Sequence, residues 1–480
     1  VSFMGSASYS DFQVPNTPGL DPGTSPDGSQ WLPGTFDSAQ LDERQNEQNY
    51  YGVAAYQKSA GALNYQIAGF GRRSSVHFRP DLTGDLFFNG VASDVNRQVS
   101  AGGAEIDGSL AVGAGHTLRG GGMFLRENLD AQTSTTVFPV DGDGNPTGAP
   151  FPILDNGKQH ATFAGVYLQD EWKLSTGFTL NYGVRADRFS STFDTESQLS
   201  PRINLIYQAT ADTTLHAGYA RYFTPPPLEF VPGGTVAEFD GTSNASDLTR
   251  DDPVRAERAD YFDAGISRKL GRGFQVGLDG YYKNAREQLD DGLFGQTLIL
   301  SAFNYRDGRI YGLEFTSSYT NGGFSAYLNA AHSVAKGRDW NSAQFQFDPA
   351  DLAYVQNHWI FLDHDQQLSG SFGASYAWSE ARGSTNLFLD FIYGSGLRND
   401  ATDSAGNTIP NGGTVPNYHT ISLGAEQTFK LGDKQSLKLR FDVVNLTDES
   451  YELRDGSGVG VNAAQFGARR GFFGTMSWAF

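Results

Sequence analysis

The sequence has no cysteine and only three methionines among its 480 residues. The missing thiols exclude disulfides, thiolate metal sites and a cysteine nucleophile. No apolar run approaches the roughly 18 residues that a membrane-spanning helix needs. Hydrophobic residues make up 39% of the chain, below the usual level for a globular protein. Positive charge is also short: 35 Lys and Arg stand against 54 Asp and Glu, a net charge of -19. That balance excludes nucleic acid as a partner, because phosphate binding needs clustered cations. Much of the acid falls between the patterned segments, as at Asp37, Asp42 and Glu43, or Asp247, Asp251 and Asp252.

What the chain does have is glycine, 58 of 480, and aromatics, 13%. Its dominant pattern has period two, the mark of a strand with two unlike faces. Phe274, Val276, Leu278, Gly280 and Tyr282 alternate with Gln275, Gly277, Asp279, Tyr281 and Lys283. Leu437, Leu439, Phe441 and Val443 alternate with Lys438, Arg440 and Asp442. Phe178, Leu180, Tyr182, Val184 and Ala186 alternate with Thr179, Asn181, Arg185 and Asp187. An Arg on a lipid-facing strand position costs about 2–4 kcal/mol at the bilayer midplane. The polar face must therefore line a wet or protein-filled interior. Because only alternate residues meet lipid, such a barrel keeps a modest mean hydropathy.

Eight connections are short and read as tight turns, and seven of them carry the Gly, Asn or Asp that supplies positive φ there. They lie at Ser59-Ala60-Gly61, Gly113-Ala114-Gly115, Ser175-Thr176-Gly177, Thr210-Ala211-Asp212, Gly271-Arg272-Gly273, Asn321-Gly322-Gly323, Glu380-Ala381-Arg382 and Leu431-Gly432-Asp433. Longer segments alternate with them, at 13–46, 75–96, 129–158, 191–196, 225–254, 288–306, 336–363, 395–414 and 447–466. Seventeen connections predict about 18 strands, an even number with both termini on the side of the short turns. The pattern predicts an all-β fold: a transmembrane, antiparallel, up-and-down β-barrel with short periplasmic turns and long extracellular loops. A soluble sandwich is disfavoured because its strands run to about 5–6 residues. A propeller is disfavoured because no repeat of about 40–45 residues is present.

The last strand runs Arg470-Gly471-Phe472-Phe473-Gly474-Thr475-Met476-Ser477-Trp478-Ala479-Phe480. Phe472, Met476, Trp478 and Phe480 share one face, and the chain stops on an aromatic residue. This ending resembles the signal read by the barrel assembly machinery, with Trp478 and Phe480 as its key residues.

Seven segments then resemble the TonB-dependent receptor family, in that family's order. Val166-Tyr167-Leu168-Gln169-Asp170-Glu171-Trp172, with Leu180-Asn181-Tyr182-Gly183-Val184-Arg185-Ala186-Asp187, resembles its Y-x-Q-D-E-W and L-x-x-G-x-R-x-D hairpin. Leu199-Ser200-Pro201-Arg202-Ile203-Asn204-Leu205-Ile206-Tyr207 resembles the next strand. Tyr219-Ala220-Arg221-Tyr222-Phe223-Thr224-Pro225-Pro226 resembles the strand that rises into a proline-containing outer loop. Arg255-Ala256-Glu257-Arg258 through Gly265 resembles the P-E-R strand, and Gly308-Arg309-Ile310-Tyr311-Gly312-Leu313-Glu314 is similar to G-R-x-x-G-x-E. Val444-Asn445-Leu446-Thr447-Asp448-Glu449-Ser450-Tyr451 resembles the penultimate N-L-x-D-x-x-Y.

The resemblance implies a 22-stranded barrel filled by an N-terminal plug that follows a TonB-binding box. Here Val1 to Phe12 already reads as a barrel strand, and Val1 lacks the basic and apolar regions of a signal peptide. The expected domain is therefore residues 1–480 of one barrel, without signal peptide, plug and about four strands. Those parts are either cut off, on another chain, or absent from a shortened barrel that closes by itself. The implied function is active uptake of a scarce ligand, such as an iron–siderophore chelate, across the outer membrane of a Gram-negative bacterium. TonB would supply the energy through the plug. Implied partners are outer-membrane lipid and lipopolysaccharide, the assembly machinery and the TonB complex, with a monomeric protein and no cofactor. The alternative is a plugless, porin-like passive channel, since about 16–18 strands leave a water-filled lumen. A porin narrows its lumen with an inward-folded loop, and the sequence does not identify one.

Candidate ligand contacts are the aromatics and cations of the outer segments. They are Arg221, Tyr222 and Phe223 beside Pro225-Pro226-Pro227, and Trp340, Trp359 and His364 in and after the segment 336–363. Aromatics are enriched both in binding hot spots and in membrane-interface girdles. For Arg221 a lumen salt bridge is the plainer expectation. Asp363-His364-Asp365 could suggest a general base. Read as a strand, however, it puts the two carboxylates on one side and His364 on the other, so no enzyme and no metal is expected. Asp141-Gly142-Asp143-Gly144-Asn145-Pro146 has Pro where a calcium loop needs Gly, and no closing Glu. It reads as an acidic turn.

Overall fold

The computed structural model describes residues 1–231, 236–295, 297–432, 435–461 and 463–479. The first half of the wall is β1 (Ser2–Gln13), β2 (Arg44–Ala60), β3 (Leu63–Arg79), β4 (Val91–Val112), β5 (His116–Val137), β6 (Phe151–Lys173), β7 (Phe178–Ser191), β8 (Thr195–Thr210) and β9 (Thr213–Thr224). It continues through β10 (Glu257–Lys269), β11 (Phe274–Leu293), β12 (Leu300–Asn321) and β13 (Phe324–Trp340). A two-residue strand, β14 (Ile360–Phe361), interrupts the next loop before β15 (Leu368–Glu380) and β16 (Gly383–Gly394). An outer hairpin, β17 (Arg398–Thr402) and β18 (Thr408–Thr414), precedes β19 (Tyr418–Lys430) and β20 (Ser436–Val444). A second pair, β21 (Glu452–Asp455) and β22 (Ala464–Phe466), precedes β23 (Gly471–Ala479). Two helices, α1 (Leu82–Asn89) and α2 (Pro349–Asn357), sit in outer loops.

The main sheet has 19 strands, of which the two-residue β14 belongs to a loop. The other 18 are the expected staves, each paired antiparallel with the next stave in the chain. The short turns fall at the expected positions; the turn at 431 runs on into Asp433, outside the described residues.

The outer loops are shorter than the sequence suggested. The segment 75–96 is strand to Arg79, then α1, then strand again from Val91. Segments 129–158 and 288–306 shrink to 138–150 and 294–299, and β13 runs on to Trp340. Near the rim both faces are wet, so the apolar alternation fades while the hydrogen-bond ladder continues, as in Gln132 opposite Asn156. β4 and β6 reach 22 and 23 residues, against about 9–11 needed to cross a bilayer. They stand out beyond the membrane as a rigid collar.

Alternation sets the two faces. Leu278 and Tyr282 look outward, 47% and 41% exposed. Polar pairs line the inside: His216 Nε2 lies 3.4 Å from Asp263 and 3.1 Å from Asp279, and Arg185 holds Asp187 at 2.7 Å. The wall is open at one place. β1 pairs only with β2 and β23 only with β20, and among the described residues no ladder joins β1 to β23. In a bilayer each unpaired backbone group costs several kcal/mol, so both edges need strand partners. Trp478 stands on the β23 edge, 63% exposed, and Phe480 lies outside the described residues.

The N-L-x-D-x-x-Y segment locks the base of the last outer loop. Asn445, 1% exposed and at φ 49°, donates from Nδ2 to the carbonyls of Glu449 and Ala468 and accepts from the Glu449 N–H. Asp448 takes Arg469 at 2.9 and 2.7 Å, and Tyr451 stacks on Tyr418 at 4.5 Å. Asn445→Ala is expected to cost about 1–3 kcal/mol, because it strands buried backbone groups. The check is the temperature at which the folded, fast-migrating electrophoretic band is lost; an unchanged temperature contradicts it.

Candidate functional site: the outer mouth

The outer loops pack around an apolar core of their own. It contains Phe303, Tyr305, Trp340, Phe347, Ile360 and Leu362. These residues come from β12, β13 and the loop 341–367, so burial of their rings fixes the loops to the wall.

A second cluster carries a loop inward. Pro225-Pro226-Pro227 hold the chain extended after β9. The next turn, Leu228–Phe230, is a single 3-10 turn. Leu228 is fully buried against Val99, Leu129, Ala161 and Phe189, which line the inside of β4 to β7. Glu229 accepts from Arg72 at 2.9 Å, and Arg72 also lies 3.5 Å from Glu127. Arg97 donates to the carbonyl of Glu229 at 2.8 Å and to that of Leu300, at the start of β12, at 3.3 Å. Burial pulls the Arg97 guanidinium down to about 10. The turn therefore bridges β3–β5 to a distant part of the wall. A cavity of about 350 Å³ opens beside it, lined in part by Glu47, Arg72, Ser74, Arg97 and Glu229. Sequence reading missed this inward loop. The available signal was the apolar Leu228 directly behind three prolines.

The six candidate contacts do not form one site. Arg221 holds Asp260 with Nε at 2.9 Å and Nη2 at 3.3 Å. Register puts that pair on the outward face with Tyr219 and Phe262, so the expected lumen salt bridge is an exterior one. Residue parity decides this, since Asp260 and Phe262 share a face. Tyr222 faces inward, 49% exposed, in a row with Tyr261 at 6.0 Å and Tyr281 beyond it at 6.3 Å. Gly312 makes that row possible, because a Cβ there would lie 2.7 Å from the Tyr281 hydroxyl. Phe223 packs on the Leu228 cluster, with Arg258 5.6 Å above its ring. Trp340 is 3% exposed and stacks on Phe347 at 4.1 Å, so it is core. Trp359 lies under Arg309 and Arg338, at 4.4 and 5.1 Å.

His364 overturns the period-two reading of its neighbours. Residues 362–367 are a turn, closed by the Asp365 N–H on the Leu362 carbonyl. His364 Nδ1 therefore sits on Asp363, at 2.9 Å, and 3.8 Å from Asp290. Asp363 also takes Arg454. Asp365 turns away to Arg398 at 2.8 Å. Asp141 accepts from the N–H groups of Asp143 and Asn145, the expected acidic turn.

Burial lifts the Asp290 carboxyl to about 7, and the hydrogen bond to Asp363 lifts His364 to about 9. Burial would raise Asp363 as well, but His364 and Arg454 hold it below the usual carboxylate range. A raised folded pKa stabilises below the unfolded value and loses that contribution as pH climbs through the folded one. Both groups therefore loosen the mouth with rising pH, Asp290 between 3.8 and about 7 and His364 between 6.5 and about 9. Proteolysis within 341–367, in chelator, is expected to accelerate across both windows. Asp290→Asn should remove the lower step and His364→Gln the upper; a flat profile contradicts the assignment.

The family described as "TonB dependent receptor-like, beta-barrel" matches residues 3–446. No curated protein sequence matches the chain. Among solved structures, it is similar to the ferric preacinetobactin receptor BauA of Acinetobacter baumannii, at 14% identity and TM-score 0.62, over 98% of this chain and 66% of that one. It is similar to the ferric yersiniabactin uptake receptor FyuA of Yersinia pestis, at 12% and 0.66, over 99% and 67%. It is also similar to the FrpB iron transporter of Neisseria meningitidis, at 14% and 0.61, over 99% and 77%. The chain thus spans about two thirds of the length of the first two. The match over 3–446, on a wall with these strands and this register, settles the descent: the chain belongs to the TonB-dependent receptor β-barrel family.

Proposed function

We propose that the chain is the wall and ligand-receiving mouth of an active outer-membrane importer for a scarce ligand such as an iron–siderophore chelate. Its energy would come from TonB acting through a plug region. The observation that carries the reading is the mouth itself: outer loops with their own apolar core and an inward turn held by Arg72 and Arg97. Such a mouth narrows the lumen and offers a ligand a lined space. The family and the neighbours named for ferric chelates support the same class of cargo. The inward row of Tyr222, Tyr261 and Tyr281 offers flat, half-wet surfaces for such a ligand. Lipopolysaccharide contact, insertion by the assembly machinery and a monomeric state belong to the same proposal. A porin-like channel is the second reading, favoured by the Leu228–Phe230 turn, since passive pores use inward loops to narrow their lumen.

Uptake of a panel of labelled ferric chelates by cells carrying the full-length protein separates the two. Uptake that stops when an uncoupler collapses the proton gradient is expected. Uptake that survives the uncoupler selects the passive channel.

A further inference from the structure

The geometry points to a metal site in the mouth: we propose that Asp290, Asp363 and His364 bind a first-row divalent ion that clasps the outer segments together. The role is independent of the uptake reading. One ligand atom from each residue lies within 4.8 Å of the others. His364 Nδ1 is 2.9 Å from Asp363 Oδ1 and 3.8 Å from Asp290 Oδ1. Metal–ligand bonds of about 2.0–2.2 Å place neighbouring ligands roughly 3 Å apart, so small side-chain adjustments suffice.

A second observation asks for a cation. The Asp290 side chain is only 5% exposed, yet its one hydrogen bond is from the Asp291 N–H at 3.0 Å. Among the described residues no Lys or Arg reaches it, and its nearest ionisable partner is the His364 ring at 3.8 Å. A buried carboxylate left so is costly.

Charge and shape agree. A metal ion entering here displaces the protons of Asp290 and His364; Asp290, Asp291 and Asp363 then carry three negative charges against one positive on Arg454, a group complementary to a divalent ion. Arg454 occupies Asp363 Oδ2 and leaves Oδ1 for the metal, a supporting contact that orients a ligand. His364, 53% exposed, provides the entry. A mixed imidazole and carboxylate set suits Zn2+ or Co2+, whereas Ca2+ and Mg2+ prefer oxygen alone. The ion would join the end of β11 to the loop 341–367, and through Arg454 to β21.

The test is titration of the chelator-treated full chain, folded in detergent, with Co2+ read by its visible absorption and with Zn2+ by calorimetry. One ion per chain is expected. His364→Gln and Asp290→Asn, each verified folded by heat-modifiable migration, should raise Kd by at least the 10- to 100-fold that even a supporting partner costs. His358→Ala, on the same loop, should not. In the unaltered chain Zn2+ should also shield His364, but not His358, from imidazole acylation, a readout that needs no variant to fold. Absence of binding, binding that both variants retain, equal displacement by Ca2+, or unshielded His364 would overturn the site.

Discussion

Asp365→Ala is expected to cost about 3–5 kcal/mol, because it leaves a buried guanidinium unpaired. Asp365 and Arg398 have side chains 0% and 6% exposed. Arg398 donates to Asp365 Oδ2 from Nε at 2.9 Å and Nη2 at 2.8 Å, and lies 3.4 Å above the Phe361 ring. The other carboxylate oxygen accepts from the Ala335 N–H at 2.6 Å. One side chain thus ties the loop 341–367, the β17 hairpin and β13. The loss should appear as rapid proteolysis within 341–367 and 395–417 while the β-sheet circular dichroism of the wall persists. Asp365→Ala combined with Arg398→Met should recover much of the stability, since replacing both charges of a buried pair is often neutral. If the double variant is no better than the single, the damage lies in the Ala335 hydrogen bond rather than the stranded charge.

Trp340→Ala should cost a similar amount, about 3–5 kcal/mol, the usual cost of emptying a buried aromatic site. Trp340 contacts Tyr305 at 6.0 Å and Phe347 at 4.1 Å, and Phe347 in turn meets Phe303 and Phe294. The cavity would lie at the centre of the ring cluster, so the loops should melt at lower temperature than the wall. Trp340→Phe should restore part of the loss. A ligand-contact role predicts the reverse: normal loop stability with weakened binding. Differential scanning calorimetry with a ligand-uptake assay distinguishes the outcomes.

The residues that misled and those that informed differ for a physical reason. The strands between short turns were legible because lipid demands an apolar residue at every second position. That demand acts through the bilayer alone and needs no knowledge of neighbours. It ends at the rim, so the upper halves of β4, β5 and β6 looked like loop although their ladders continue. Asn445 was visible as part of a motif, but its work, bonding Glu449 and Ala468, depends on a chain segment 23 residues away.

The mouth was hidden for the same reason. Trp340 and Trp359 look alike in sequence; contacts from distant segments make one a core residue and the other a platform under two arginines. Asp363-His364-Asp365 could be read only with a strand's geometry, and the turn at Leu362 reversed the result.

By itself, then, the sequence determined the wall: strand number, turn positions, which face meets lipid and the family. The first three follow from local alternation and from the residues of tight turns; the family followed from the resemblance of motifs in order and the match over residues 3–446. The tertiary structure alone decided that Leu228 folds inward, that Arg221 faces outward and that Asp290 meets His364, because those depend on which distant loops share one enclosed space.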